Sequence, residues 1–225
     1  MTRDLLVITP TRGRPGSMKR LADAVAATAT CLTDLIFAVD DDDPASLATA
    51  GEKGAWACGP RDTVSGWTNR LALEHAGRYR ALASLSDDHV PRTPGWDRLL
   101  LDAIDGMGGT GFAYGDDLLQ GANMPTAVVV SSAIVTALGW MALPSCRHYW
   151  IDTAWKDLGE GAGCLAYRPD VIIEHCHPGA GKAPWDETYA SEAALDAQDK
   201  AAYDTWRRDR MAADIATVAA ARKGS

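Results

Sequence analysis

Three polar or acidic clusters each follow directly on a short apolar run. Thr9-Pro10-Thr11-Arg12 comes after Leu5-Leu6-Val7-Ile8, Asp40-Asp41-Asp42-Asp43 after Leu35-Ile36-Phe37-Ala38-Val39, and Asp87-Asp88-His89 after Ala81-Leu82-Ala83-Ser84-Leu85. One such aspartate usually does no more than cap a turn or a helix. Three clusters brought to one rim are different, because crowded carboxylates repel one another unless a cation sits among them. Oxygen-rich sites suit Mg2+ or Mn2+, which take one or two carboxylates plus the phosphates of a substrate. The chemistry these clusters predict is therefore a divalent ion shared between protein carboxylates and a diphosphate. No G-x-G-x-x-G follows the first apolar run, which disfavours a Rossmann-type dinucleotide site. Gly179-Ala180-Gly181-Lys182-Ala183 ends in Gly-Lys but lacks the earlier glycine spacing and the Ser/Thr of a phosphate-binding P-loop.

Alternating apolar runs and helical patterns must position these clusters. Strands are predicted at 5–8, 35–39, 55–58 and 81–85. Helices are predicted from Ser17 as N-cap through Met18, Leu21 and Val25, from 64 to about 75, and through Trp96, Leu99, Leu100 and Ile104. The alternation predicts an α/β fold with a mostly parallel central sheet and helices on both faces. In such a sheet, ligands bind outside the carboxyl ends of the strands. The later half is less regular, with strands at 112–114, 127–130 and 171–177 and helices at 132–139 and 152–158. An Ala-rich helix over 191–222 carries Leu195, Tyr203, Trp206, Ile215 and Val218 for packing on its own domain, or for a homodimer contact.

At 225 residues the chain suits one domain. A net charge of −8 disfavours a general polyanion-binding surface, although Arg92, Arg98, Arg147 and Arg168 could form a local track. No apolar run approaches the ~18–20 residues of a membrane span. The N-terminus lacks the layout of a signal peptide. Five scattered cysteines without a C-x-x-C pair suggest reduced thiols, so a cytoplasmic setting is expected. His175 and His177, two apart on a predicted strand, share one face, with Glu174 and Cys176 facing away. That leaves zinc a weak fit.

The strand ending Thr9-Pro10-Thr11-Arg12, the strand ending Val39-Asp40-Asp41-Asp42 and the segment Leu85-Ser86-Asp87-Asp88 together resemble a family 2-type glycosyltransferase of the GT-A fold. The compact size is similar to its small, often phage-encoded members. The likeness continues more loosely through Trp150-Ile151-Asp152 and Glu174-His175-Cys176-His177. It implies sugar transfer from a nucleotide-diphosphate sugar, UDP-type above all, with Mn2+ or Mg2+. It also implies a single domain over 1–225: a nucleotide-sugar half (1–97), an acceptor and catalytic half (98–190) and a C-terminal helix (191–225).

Residue by residue, the resemblance implies that Pro10, Thr11 and Arg12 line the nucleoside pocket and that Asp40 or Asp42 accepts from the base. Asn69 faces the nucleotide from its helix, Asp87 approaches the ribose and Asp88 the metal. Asp-Asp-His stands where a D-x-D is usual, so the choice among Asp87, Asp88 and His89 stays open. A late histidine often completes the metal site, which points to His177. Asp152 corresponds to the carboxylate that takes the acceptor proton in inverting enzymes, with helix capping as its plainer role and Asp116 or Asp117 as alternates. Lys182, Trp185 and Tyr189 lie in a Gly- and Pro-rich loop that could close over the donor, Lys182 neutralising the diphosphate. The acceptor is open: a modified nucleobase, a protein side chain, or a small metabolite or glycan. A nucleotidyltransferase on a similar fold, or a non-catalytic nucleotide- or glycan-binding module, are the alternatives.

Overall fold

The first apolar run lacks polar residues because its strand is covered on both faces. In the computed structural model of the chain, which describes residues 3–177, 181–182 and 195–223, β1 (Arg3–Thr11) pairs in parallel with β2 (Thr33–Asp40) and β4 (Tyr79–Ser84). Leu5 and Val7 join Phe37 and Val39 in the core of one face, while Leu6 and Ile8 join Ile36 and Ala38 in the other. That is the period-two alternation of a doubly buried strand.

β3 (Ala55–Gly59), β5 (His89–Pro91), β6 (Phe112–Asp116), β7 (Val128–Ser131) and β8 (Leu165–His175) complete an eight-stranded sheet of order β3-β2-β1-β4-β7-β6-β8-β5. Among these strands only β7 and β5 run against the rest. The predicted strand 171–177 is the second part of β8 and stops at His175, so His177 lies just past the strand end.

Helices α1 (Pro15–Thr28), α2 (Pro44–Lys53) and α4 (Trp96–Asp105) cover one face. On the other lie α3 (Val64–His75), α5 (Ser132–Leu138), α6 (Ile151–Gly161), α7 (Asp196–Asp209) and α8 (Met211–Ala221).

Three helix expectations need correction. α1 begins at Pro15, not after Ser17, because proline suits the first helical turn, where its missing N–H has no partner to lose. α2 escaped notice because Pro44 reads as a breaker. It sits at the helix start behind Asp43, whose carboxylate accepts from the Ser46 N–H at 3.1 Å. The single C-terminal helix is two helices broken at Arg210 (φ −130°, ψ −31°). The break lets Trp206 donate to Asp214 at 2.7 Å and brings Tyr203, Trp206 and Val218 into one core. Among the described residues, no helix is long and apolar enough to cross a membrane.

Candidate functional site

A cleft of about 470 Å³ opens at the carboxyl ends of β1, β2 and β4, a volume suited to a small organic ligand. Its first wall is built on Asp40, 4% exposed at the end of β2. One carboxylate oxygen accepts from Trp67 Nε1 of α3 at 2.8 Å and from the Asp62 N–H at 3.2 Å, and the other from Arg12 at 3.0 Å. A carboxylate offers about four acceptor positions, so this one is fixed from three sides with capacity for one more donor. Arg12 also makes a two-pronged pair with Asp42, which holds its guanidinium high above the ordinary range. Asp43 ties the two strand ends together by accepting from the Gly13 N–H at 2.6 Å.

The floor is the turn after β4. Asp87 accepts from the Thr11 hydroxyl and pairs with Arg14 at 3.4 Å. Burial pushes its carboxyl up to about 6 against the pull of those two partners. Asp88, equally buried, meets His175 Nε2 at 3.4 Å, and the other ring nitrogen of His175 lies 3.8 Å from Asp117. Burial alone would lower the His175 pKa, but the two carboxylates win and raise it to about 9. His89 stacks on His175 at 4.4 Å and takes the Ser86 N–H on Nδ1. Burial, with the charge of His175, depresses it to about 3 and keeps it neutral. The His177 ring stands 5.3 Å from that of His175, and burial lowers its pKa, leaving it the neutral imidazole a metal requires.

A second wall is the segment before α6. Arg147, His148, Tyr149, Trp150 and Asp152 all line the cleft. Asp152 is half-buried; it accepts from the Thr153 N–H at 2.8 Å, and burial raises its pKa above the usual carboxylate value. Trp150, the residue ahead of the helix, has left-handed backbone (φ 66°, ψ 4°), uncommon for a bulky side chain.

Of the residues singled out in the sequence, Pro10, Thr11, Arg12, Asp40, Asp87, Asp88, Asp152 and His177 line this one cleft. Asn69 does not. Its side-chain oxygen accepts from the Met141 and Ala142 N–H groups at 2.7 and 2.8 Å, and its amide donates to the Ala142 carbonyl at 2.7 Å. The helix face is right, but the amide pins a loop: both acceptor positions of its oxygen and one of its two N–H donors are taken by Met141 and Ala142. Lys182 pairs with Glu174 at 3.0 Å, away from the cleft lining. Asp42 is outside the lining too, held by Arg12. Asp117 builds its own turn, accepting from the N–H groups of Leu119, Gln120 and Gly121 and from the Thr126 hydroxyl. Burial is outweighed by His175 and these donors, so its pKa falls and it makes a poor base. Trp185 and Tyr189 lie outside the described residues.

Sequence reasoning missed Arg14 and Trp67. Arg14 carried a signal, since it follows Arg12 at the same strand end.

Among the described residues no three His, Cys, Asp or Glu side chains converge in a cage able to hold a metal by themselves. The available donors are the Asp88 carboxylate, with Asp87 beside it, and the His177 imidazole, whose titration feels the Asp88 charge. One carboxylate and one imidazole suit a hard ion that draws its remaining ligands from substrate phosphates and water, so the residues fit a shared Mg2+ or Mn2+.

No protein-family description matches the chain, and neither does any curated protein sequence. Solved structures do. A mannosyltransferase of Pyrobaculum calidifontis, in complex with GDP-Man and Mn2+, aligns over 98% of this chain and 74% of its own, at 11% identity and a TM-score of 0.60. Glucosyl-3-phosphoglycerate synthase of Mycobacterium tuberculosis, in complex with Mn2+, UDP and glucosyl-3-phosphoglycerate, aligns over 90% and 80%, at 14% identity and 0.63. TarS of S. aureus aligns over 76% of this chain but only 36% of its own, at 10% identity and 0.58. At such identities the likeness carries the fold, and the fold is GT-A, as the resemblance had implied.

Proposed function

We propose that the chain is a metal-dependent glycosyltransferase that moves a sugar from a nucleotide-diphosphate sugar, UDP-type, onto a hydroxyl acceptor with inversion. One observation carries the reading: Asp87 and Asp88 on the cleft floor share a single cleft with a part-exposed carboxylate, Asp152, at the start of α6. The solved structures of the same fold that hold a nucleotide or nucleotide sugar with Mn2+ support it.

In this reading residues 1–97 hold the donor. Asp40, preset by Trp67, Asp62 and Arg12, uses its remaining capacity to accept an N–H of the nucleobase. Asp87, steadied by Thr11 and Arg14, takes the ribose hydroxyls. Asp88 and His177 hold the divalent ion, which when bound offsets the charge that develops on the diphosphate. Asp152 receives the proton of the acceptor hydroxyl as its oxygen bonds to the anomeric carbon. The bond from that carbon to the diphosphate oxygen breaks on the far side, and the nucleoside diphosphate leaves with the electron pair.

Calorimetry with Mn2+ and UDP-, GDP- and TDP-sugars, repeated on Asp88→Ala, tests the donor site. The expected result is binding of one donor class that requires the metal and drops at least tenfold in the variant. Binding of nucleoside triphosphates with release of pyrophosphate, and of no nucleotide sugar, would replace this reading with the nucleotidyltransferase.

A further inference from the structure

Between α5 and α6 the segment 146–150 has no strand or helix to satisfy its backbone, yet it carries the second wall of the cleft. Its support comes from some fifty residues further along the chain. Asp199 of α7, 1% exposed, accepts three consecutive backbone N–H groups: Arg147 at 2.9 Å, His148 at 2.8 Å and Tyr149 at 2.8 Å. The next residue, Trp150, is gripped by the same helix. Its Nε1 donates to Asp196 at 2.8 Å, Lys200 lies 5.0 Å over its ring, and Tyr203 stacks at 5.2 Å. From the other side, Ser65 at the start of α3 donates its N–H to the Arg147 carbonyl at 3.2 Å and its hydroxyl to the Cys146 carbonyl. Two residues after Trp150 stands Asp152.

We propose that Asp199 is a positioning residue for this wall, so that the C-terminal helix α7 is part of the catalytic unit; this rests on the reading of Asp152 as the base. A carboxylate that accepts several N–H bonds makes the charge-assisted kind, about twice as strong as neutral ones. Here those bonds hold the turn that forces Trp150 into left-handed backbone, a strained conformation for a bulky side chain that persists only where its surroundings impose it. With the clamp loosened, Trp150 relaxes and α6 begins with Asp152 displaced. Misplacement of a reacting group by about 1 Å costs on the order of 100-fold in rate. The three Asp199 bonds touch none of β1, β2 and β4; the segment meets the donor wall through Ser65 of α3, the helix whose Trp67 holds Asp40.

The test is Asp199→Asn, nearly isosteric but with one carbonyl oxygen in place of two carboxylate oxygens, against Tyr203→Phe. The control loses another tie of α7, the hydroxyl bond from Tyr203 to Asp157 of α6, while keeping the ring against Trp150 and the bonds to 147–149. Binding of UDP or GDP with Mn2+ is measured by calorimetry. Turnover is followed as nucleoside diphosphate released from UDP-glucose or GDP-mannose with water as acceptor.

Asp199→Asn is expected to keep its nucleotide Kd within twofold and lose at least tenfold in kcat, while Tyr203→Phe keeps both. Should Asp199→Asn not fold, Asp196→Ala, which frees Trp150 Nε1 at an exposed position, must lower kcat at least threefold at unchanged Kd. Unchanged kcat in the folded variant, or kcat and nucleotide affinity falling together, overturns the assignment. A wild-type protein that binds neither nucleotide overturns instead the glycosyltransferase reading, and this inference with it.

Discussion

Replacing Asp152 by asparagine removes a proton acceptor and little else. The amide oxygen of the new side chain can still take the Thr153 N–H that Asp152 Oδ1 now accepts at 2.8 Å. The favourable charge at the start of α6 is lost, an effect of about 0.3–1 kcal/mol. Loss of a half-buried charge offsets part of that, so stability should change by less than about 1 kcal/mol. Donor affinity should hold within twofold, because Asp40, Asp87 and Asp88 stand on other elements. A general base contributes roughly 10²- to 10⁴-fold, or about 3–5 kcal/mol of barrier, and kcat should fall by that factor.

The pH profile gives a second readout with a definite sign. The base works only when ionised, and burial raises its pKa. Wild-type kcat should therefore rise with pH through a value above the ordinary ~3.9 of aspartate, and the variant should lose that limb. Measuring at saturating donor keeps the titration of Asp87 near 6 in the free protein within KM. The assay is release of nucleoside diphosphate from the donor identified by calorimetry. A loss under tenfold, or a variant that keeps the acid limb, refutes the assignment of Asp152.

Further outcomes follow from two side chains outside the chemistry, Asp97, which is buried, and Asn69, which is part-buried. Asp97, 0% exposed, accepts from the backbone of Thr30, Cys31 and Arg98 and from the Thr33 hydroxyl. Asp97→Ala should cost about 3 kcal/mol, since each donor stranded in the interior costs about 1–3; urea unfolding checks it, and a loss below about 1 kcal/mol would mean water replaces the carboxylate. Burial disfavours the Asp97 charge, but these donors outweigh it and depress the pKa. Its contribution is therefore complete above the unfolded value near ~3.9 and fades as pH falls through the folded one. Acid unfolding of Asp97→Ala should accordingly be less steep than that of the wild type. Asn69→Ala should cost about 2–3 kcal/mol by stranding the Met141 and Ala142 N–H groups, yet leave nucleotide Kd within twofold; a tenfold loss of affinity at unchanged Tm would restore Asn69 to the nucleotide site.

The contrast between Asp88 and Asn69 shows what a sequence of this kind discloses. A parallel sheet delivers every strand end to one rim, so an acidic cluster after an apolar run announces its own location, and Asp40, Asp87 and Asp88 could be gathered without knowing any partner. A helix gives less. The spacing in α3 fixes which residues face the sheet side, but not whether Asn69 meets a ligand or the loop at Met141, since that loop lies over seventy positions away. Trp67 was equally illegible, because its indole N–H finds Asp40 only after α3 docks on the sheet.

The C-terminal segment is the extreme case. Tyr203, Trp206 and Val218 were readable as packing residues from their apolar character, whereas Asp199 reads as one more acid on a charged helix. Its role becomes visible only when the bare N–H groups of 147–149 are traced to an acceptor, for a segment without secondary structure cannot be buried unless something distant completes it. Wherever a site is carried on such a segment, the residue that completes its backbone bonds belongs to the site as much as the side chains that face the ligand.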